Sequence, residues 1–329
     1  MARLAVVLAC ALAAACAPVT APPGLETVPP AVDADTFTTR DGLHLPLRHW
    51  DAARPRAIVV ALHGMSDYSN AFDMPAAWWT GHAITTYAYD QRGFGRAPNT
   101  GLWPGSEALR RDLSDCVEAV RARHRGLPVF VLGESMGGAV VLSALAGPDP
   151  PRVDGVILVA PAVWAREDMP VLYRIALWVT AHTFPGVEVS GKGLKIWPSD
   201  NIAMLRKLAR DPLFQHQTRA DAVWGLVNLM DEARKAPEKL NRQNIATPPI
   251  LMLYGEKDQI IPREPTEAVA KELGSRAEVH VDPDGYHMLL RDLDGPTLWK
   301  EILDWIDQRT PSLADSRLAP APARGEERH

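Results

Sequence analysis

The sequence predicts an α/β protein whose core is a mostly parallel, doubly wound sheet. Two observations indicate this fold class: uninterrupted apolar runs of strand length recur along the chain, and segments with helical apolar periodicity lie between them. Strands buried on both faces have such continuous runs, because helices cover both sides of a parallel sheet. The runs are residues 57–62, 129–132, 156–160 and 250–253.

The composition supports a large packed core and excludes two classes of protein. The 329 residues are 47% apolar and 23% charged, and 35 Lys and Arg against 40 Asp and Glu give a net charge of −5. Disordered chains contain too few apolar residues to match this, and proteins that bind nucleic acid through bulk charge are strongly basic. The length allows about two domains, or one α/β domain with an insertion.

The first 15 residues have the features of a secretory signal peptide. Arg3 supplies a short positive region, and residues 4–17 form an apolar run that is too short to span a bilayer. Cys16 follows three alanines near the end of this run, so the segment resembles a bacterial lipoprotein signal with Cys16 as the lipidated residue. We predict a membrane-anchored lipoprotein of the bacterial cell envelope. The alternative is ordinary signal cleavage and a soluble secreted or periplasmic enzyme.

A proline-rich stretch at residues 16–36 predicts an extended tether between this anchor and the folded domain. Cys116 is the only cysteine beyond the signal region, because Cys10 and Cys16 are the other two. The mature chain therefore has too few cysteines for a disulfide framework or a Cys-based zinc site. We expect the core to be held together by packing.

The predicted core comprises residues 37–162 and 245–310, followed by a disordered tail at 311–329. It opens with a half-exposed strand at 43–48, where apolar and polar residues alternate, and continues with a helix whose N-cap is Ser106. The apolar face of that helix consists of Leu109, Leu113, Cys116, Val117 and Val120.

Residues 163–244 are predicted to form an inserted helical cap, because helical patterns follow one another there without a buried strand. Large soft side chains are dense in this segment, which suits the lining of an apolar cleft or, alternatively, the cap's own small core. Residues 169–187 contain only one charged residue, and we expect them to form a buried cap helix; the alternative is an acyl-lining or membrane-touching lid. The large side chains are Trp164, Trp178, Trp197, Trp224, Met169, Met204 and Met230.

The motif Gly133-Glu-Ser135-Met-Gly137 marks the principal candidate site. It directly follows the predicted strand at 129–132 and precedes an apolar helix that begins near Gly137. The turn from strand to helix is so tight that small residues are needed on either side of the nucleophile, which is held exposed at the helix N-terminus. We therefore predict Ser135 as a nucleophile.

A serine hydroxyl needs a general base, and that base needs a group that holds it in the correct tautomer. In this type of fold an acid and then a histidine follow the serine along the chain. Asp258 lies just past the predicted strand at 250–253, and His287 lies in a turn-rich loop after a strand at 278–281. We predict Asp258 as the orienting acid and His287 as the base.

Acyl transfer also requires hydrogen-bond donors for an oxyanion. The backbone N–H of Met136, directly after the nucleophile, is the first candidate. The N–H of Met65 is the second, because Met65 follows the end of an early strand and Gly64 allows close approach. We expect His63 to brace this loop.

These segments together resemble the serine α/β-hydrolases, and within them the monoacylglycerol lipase and lysophospholipase-like group, which is related to the S33 serine aminopeptidases. The resemblance covers residues 58–290 and includes Asp-x-Arg-Gly at 90–93. In such families that segment is a structural turn, which implies no catalytic role for Asp90 and Arg92; Phe94 stands where many relatives carry His. The implied fold is the α/β-hydrolase fold, with the predicted insertion as its helical cap.

The resemblance implies a serine esterase that acts through an acyl-enzyme on monoacylglycerol, lysophospholipid or similar acyl esters. It implies no metal and no organic cofactor. The expected partners are a small acyl ester and, through the lipid anchor, a membrane, but no nucleic acid. Two alternatives remain: a peptidase, thioesterase or acyltransferase with the same triad, and a non-catalytic envelope lipoprotein that uses the fold for binding.

Overall fold

The structure is a computed structural model that describes residues 17–191, 193 and 195–310. The predicted signal segment at 1–15, Cys16 and the predicted tail at 311–329 lie outside the described residues. The strands are β1 (Ala31–Val32), β2 (Thr36–Thr38), β3 (His44–Trp50), β4 (Ala57–Leu62), β5 (Ile84–Tyr89), β6 (Val129–Glu134), β7 (Gly155–Val159), β8 (Glu188–Val189), β9 (Thr218–Arg219), β10 (Ile250–Gly255) and β11 (Ala277–Asp282). The α-helices are α1 (Asp73–Thr80), α2 (Ser106–Arg123), α3 (Met136–Leu145), α4 (Val171–Thr183), α5 (Ile202–Leu208), α6 (Ala220–Arg242), α7 (Arg263–Leu273) and α8 (Gly295–Asp307).

A mixed sheet with the strand order β1-β2-β3-β5-β4-β6-β7-β10-β11 forms the centre of the molecule. The pairs from β1 to β3 and the pair of β3 with β5 are antiparallel. All the other neighbours in this sheet pair in parallel. The prediction of a mostly parallel α/β sheet is confirmed.

The core consists of two apolar layers, one on each face of the sheet. Successive side chains of a strand point to opposite faces, so Val60 and Leu62 of β4 enter one layer while Val59 and Ala61 enter the other. Helices α2, α3, α6 and α7 contribute to the first layer, and α1 and α8 to the second. This arrangement explains the uninterrupted apolar runs of the central strands.

Helix α6 lies within the predicted cap at 163–244 but packs on the core of the molecule. Helix α6 packs against α3 and α7, and its buried residues belong to the same apolar layer as the central strands. The chain therefore contacts the core from Ala220 onward. Because α6 does not follow a strand of the central sheet, its helical pattern alone does not reveal this packing partner.

Helix α4 also differs from the prediction, since it is largely exposed. Only Ala181 of this helix is buried, whereas Leu172 is 71% exposed and Trp178 is 54% exposed. One face of α4 packs against α6 through the partly buried Leu177, and its other face is open. A nearly uncharged helix predicts burial, but here the apolar residues encircle the helix and only one stripe has a partner.

The predicted tether at 16–36 is held against the domain over the part that the structure describes. The N–H of Ala21 donates to the carbonyl of Trp103 at 2.9 Å, and the N–H of Gly24 donates to Asp41 at 2.8 Å. Further along, β1 and β2 extend the sheet by antiparallel pairing. The backbone N–H groups between the prolines thus find acceptors on the domain surface.

Within the described residues, no helix combines the length and apolar character that crossing a bilayer requires.

Candidate active site

The nucleophile candidate Ser135 lies in the turn between β6 and α3. Its backbone adopts φ 52° and ψ −114°, a strained conformation for a residue with a side chain. A Cβ at Gly133 would lie 2.5 Å from the carbonyl oxygen of Gly137, and one at Gly137 would overlap the carbonyl oxygen of Leu62. The glycines of the motif are therefore required by close backbone packing, as the tight turn predicts.

The structure brings the three predicted side chains Ser135, His287 and Asp258 into one hydrogen-bonded chain. The Nε2 atom of His287 lies 3.0 Å from the Oγ of Ser135, and its Nδ1 lies 2.8 Å from an Oδ of Asp258. Because the carboxylate can only accept, Nδ1 carries the hydrogen and Nε2 is left to accept the serine proton. The Asp258 side chain is fully buried and that of His287 is 7% exposed, so solvent competes little for these bonds.

Backbone contacts fix the acid and the base relative to each other. The second carboxylate oxygen of Asp258 accepts from the N–H groups of Ile260 and Ile261 at 2.7 and 3.0 Å. The N–H of Lys257, next to Asp258, donates to the carbonyl of Gly285, two residues before His287, at 2.9 Å. The loops after β10 and β11 are thus joined side by side at the carboxyl ends of parallel strands.

The loop after β4 reaches the nucleophile at Gly64. A Cβ at this position would lie 3.2 Å from the Cβ of Ser135 and 3.7 Å from its Oγ, so only a glycine allows the present approach without displacement. The N–H of Met65, the next residue, and that of Met136, the first residue of α3, therefore both belong to backbone that adjoins Ser135. Both N–H groups therefore remain the candidates for the two oxyanion donors.

His63 braces this loop, as the sequence predicts. Its Nδ1–H donates to the carbonyl of Gly64 at 2.8 Å, and its Nε2 accepts from the N–H of Gln91 at 3.0 Å. The Gln91 side chain donates in turn to the carbonyl of His63 at 2.9 Å. Burial lowers the pKa of His63, so the imidazole is neutral and keeps both roles.

Asp90 and Arg92 make contacts that serve the local structure. Asp90 accepts from the N–H groups of Ser69 and Arg96 at 3.0 and 2.9 Å. Arg92 is buried and forms ion pairs with Asp41 and Asp112, both at 2.6 Å. None of these atoms is bonded to the Ser135–His287–Asp258 chain, which agrees with the structural role implied for this segment.

A buried ion cluster beside the site was missed by the sequence analysis. Arg291, in the helical turn Leu289–Arg291, contacts Asp67 at 2.7 Å and Glu134 at 3.3 Å. Glu134 directly precedes Ser135, and burial raises its pKa while Arg291 opposes this. A signal was present, because both Glu134 and Arg291 interrupt apolar or glycine-rich segments that border predicted site residues.

The cap contacts the histidine loop directly. The N–H of Met288 donates to the carbonyl of Pro198 at 2.8 Å, and the side-chain amide of Asn201 donates to the carbonyl of Arg291 at 2.9 Å. Asn201 is also the N-cap of α5, where its side chain accepts from the N–H of Met204. The segment before α5 thus closes over the loop that carries His287.

In the described part of the chain, no three His, Cys, Asp or Glu side chains are grouped in a way that would hold a metal ion.

Known proteins resemble this chain over most of its length. A monoacylglycerol lipase of Mycolicibacterium smegmatis is 28% identical over 263 residues, which cover 77% of this chain and 88% of the relative. The human monoglyceride lipase is 25% identical over 295 residues, which cover 85% and 92%. A soluble variant of the Saccharomyces cerevisiae monoglyceride lipase, solved in complex with a substrate analog, has a TM-score of 0.71 at 21% identity and covers 89% of this chain and 100% of that one.

The structural likeness confirms the α/β-hydrolase fold, and a family match confirms the predicted resemblance. The monoacylglycerol lipase of Paleococcus ferrophilus has a TM-score of 0.67 at 23% identity and covers 81% of this chain and 99% of that one. The profile of the family described as "Serine aminopeptidase, S33" matches residues 53–294. This match includes strands β4 to β11, the turn that carries Ser135 and the loops that carry Asp258 and His287, and the chain therefore belongs to the S33 family of serine α/β-hydrolases.

Proposed function

We propose that the protein is a carboxylic ester hydrolase in which Ser135, His287 and Asp258 form the catalytic triad. The observation that carries this proposal is the continuous hydrogen-bonded chain from the Ser135 hydroxyl through His287 to a buried carboxylate. The names of the relatives, which include lipases and esterases, support the same reaction class.

The reaction proceeds through an acyl-enzyme. His287 Nε2 takes the hydroxyl proton as the Ser135 Oγ attacks the ester carbonyl carbon, and the N–H groups of Met65 and Met136 donate to the resulting oxyanion. The C–O bond to the alcohol then breaks, and the alcohol leaves with the proton from His287. A water molecule repeats the attack with His287 as base, which releases the carboxylic acid and restores Ser135. Asp258 stabilises the protonated imidazole throughout.

The proposed substrates are monoacylglycerols, lysophospholipids or similar acyl esters. Relatives of this chain are named monoacylglycerol or monoglyceride lipases, and the cap carries many exposed apolar side chains, which suit contact with an acyl chain. The family description names an aminopeptidase, so cleavage of peptide bonds is the second candidate. The two share a triad and differ in the substrate that the cap admits.

A substrate panel with purified protein tests the proposal. Wild type, Ser135→Ala and Ser143→Ala are assayed on p-nitrophenyl esters of increasing acyl length, on a monoacylglycerol and on aminoacyl p-nitroanilides. Ser143 is the matched control, because it is a buried serine of α3 whose hydroxyl donates to the carbonyl of Val140. We expect ester hydrolysis by wild type and Ser143→Ala and its loss in Ser135→Ala.

Two other outcomes separate the alternatives. Hydrolysis of the anilides with no turnover of esters favours the peptidase. Absence of all activity, together with failure of wild type to react with a fluorophosphonate, overturns the hydrolase proposal and favours a binding lipoprotein.

We further propose that Cys16 is lipidated and that the protein is an envelope lipoprotein held with its cap next to the bilayer. The N–H of Val19 donates to Asp221 at 3.2 Å, and the N–H of Asp221 donates to the carbonyl of Pro185, which follows α4. The three residues from Cys16 to Val19 span roughly 10 Å at most. A lipid on Cys16 would therefore insert close to the exposed apolar residues Phe184 and Val187.

Expression of the full chain in a bacterial host tests the anchor. We expect the N-terminal peptide of wild type to carry an acyl-modified Cys16 in mass spectrometry and the protein to fractionate with membranes. The Cys16→Ser variant is expected in the soluble fraction. An unmodified Cys16, or a mature chain that begins elsewhere, contradicts the anchor and leaves the esterase proposal untouched.

A further inference from the structure

The buried cluster of Asp67, Arg291 and Glu134 joins three separate parts of the candidate site. Asp67 lies in the loop of Met65, Glu134 directly precedes Ser135, and Arg291 follows His287 by four residues. The side chains of all three are at least 93% buried, since their exposed fractions are 2%, 3% and 7%. The oxyanion loop, the nucleophile elbow and the histidine loop therefore meet at one guanidinium.

The contacts of Arg291 require its forked shape. One terminal nitrogen lies 2.7 Å from Asp67 and the other lies 3.3 Å from Glu134, so the planar guanidinium separates two carboxylates at a fixed distance. The Nε of Arg291, one oxygen of Glu134 and the Asp67 Oδ2 that faces Arg291 have no hydrogen-bond partner among the described residues. The Arg291–Asp67 contact is therefore an ion pair, whereas the contact with Glu134 is also a hydrogen bond. The two ion pairs of Arg291 thus connect the loop of Met65, the turn that carries Ser135 and the loop that carries His287.

Backbone contacts carry this position to the reacting atoms. The N–H of Asp67 donates to the carbonyl of Gly64, whose Cα adjoins Ser135, and the N–H of Arg291 donates to the carbonyl of Met288, the neighbour of His287. A displacement of Arg291 would therefore move His287 relative to Ser135 and to the N–H of Met65. Misplacement of reacting groups by about 1 Å can lower a rate about a hundredfold.

We infer that Asp67, Arg291 and Glu134 are positioning residues that hold the nucleophile, the base and the oxyanion donors at their working distances. This inference rests on the proposed serine hydrolase function. It assigns no contact between the cluster and the substrate. The cluster acts through Ser135, His287 and Met65, and it affects the chemical step more than substrate binding.

The same fold contains a matched cluster that does not touch the site. Arg92 is as buried as Arg291, with 7% of its side chain exposed, and it also separates two carboxylates, those of Asp41 and Asp112. Its partners lie before β3 and in α2, which carry none of the proposed catalytic groups. Lysine at either position keeps the positive charge but loses the planar guanidinium. The variants Arg291→Lys and Arg92→Lys therefore make the same chemical change inside and outside the candidate site.

The experiment compares the two variants with wild type by ester kinetics, by the rate of fluorophosphonate labelling and by thermal unfolding. We expect both variants to unfold at lower temperature. For Arg291→Lys we expect kcat and the labelling rate to fall about tenfold to a hundredfold with KM within about threefold of wild type. For Arg92→Lys we expect kcat and labelling within about twofold. Glu134→Gln keeps an acceptor for Arg291 and should recover most of the rate lost in Glu134→Ala.

The outcomes distinguish this inference from the proposal on which it rests. If Arg291→Lys and Arg92→Lys retain the same kcat and labelling rate, the cluster only stabilises the fold and the inference is overturned. If wild type itself is neither labelled nor active, the proposed function fails first. Should Arg291→Lys not fold, the pair Glu134→Gln and Glu134→Ala decides the question, because equal rates in these two variants contradict a positioning role.

Discussion

Ser135 shows how single residues set the geometry of this site. A serine at φ 52° costs about 1–3 kcal/mol relative to relaxed backbone, and the conformation persists because neighbouring glycines let two backbone segments pack around it. The sequence indicates this tight turn, since Gly133 and Gly137 are part of the motif around Ser135. It contains no comparable sign of Gln91, whose contacts with His63 join residues 28 positions apart without any periodic pattern.

Removing the charge of Asp258 should test whether this residue orients His287. In Asp258→Asn the amide can donate to Nδ1 of His287, which favours the tautomer whose Nε2 carries the hydrogen and cannot accept the serine proton. We expect kcat to fall by about 10³ to 10⁴. Asp284→Asn is the control, because Asp284 is 82% exposed and its ion pair among the described residues is with Lys257 on the surface. Steady-state ester kinetics measure both, and a loss below about tenfold in Asp258→Asn speaks against its assigned role.

His63 should make the fold sensitive to mild acid. Burial lowers its pKa below the ordinary value of 6.5, so below that pH the unfolded chain binds a proton that the native chain does not. The free energy of unfolding therefore falls as the pH drops from 7 to 5, by at most about 1.4 kcal/mol per pH unit from this group.

Urea unfolding at several pH values measures this effect as a difference between variants. We expect the slope between pH 7 and 5 to be smaller in His63→Gln than in wild type. The exposed His82 serves as control, and His82→Gln should retain the wild-type slope. Equal slopes in wild type and His63→Gln contradict a buried neutral imidazole.

At the scale of elements, helices were predictable but their partners were not. The apolar pattern of α6 identifies a helix in either environment, and only the structure shows that it returns to the core layer. Helix α4 differs in the other direction: its sequence, with a single charged residue, predicts burial, but one side of the helix is exposed. Periodicity reports which face of a helix is apolar, whereas the packing partner depends on long-range topology.

Truncation of one leucine in α6 and one in α4 tests whether α6 is packed on the core and α4 is exposed. Leu229 of α6 is fully buried, so Leu229→Ala should lower the free energy of unfolding by about 2–5 kcal/mol. Leu172 of α4 is 71% exposed, and Leu172→Ala should change the free energy of unfolding by less than about 0.5 kcal/mol. Denaturant unfolding followed by circular dichroism gives both values. A large loss in Leu172→Ala would show that α4 is covered in solution.

At the scale of the whole molecule, the sheet gathers groups that are far apart in sequence. Strands β4, β6, β10 and β11 run parallel to their sheet neighbours, so the loops that follow them emerge at one edge. The strand pattern and the chain order of serine, acid and histidine were sufficient to predict that these loops meet. Glu134 and Arg291 stand out in the sequence as charged residues beside the site, but their pairing with Asp67 was not predictable, because it depends on the distance between loops and not on their order.

The contact of the N-terminal segment with Asp221 leads to a prediction for the lipidated chain. Because Val19 is bonded to Asp221 beside the cap, a lipid on Cys16 would present the cap to the bilayer that holds the anchor. Substrate dissolved in that bilayer should then be hydrolysed faster by the lipidated chain than by Cys16→Ser at equal enzyme concentration. A short soluble ester should be cleaved equally by both, since the triad is unchanged. Monoacylglycerol in phospholipid vesicles and p-nitrophenyl acetate in solution provide the two assays, and an equal ratio of the two rates in both proteins contradicts the proposed orientation.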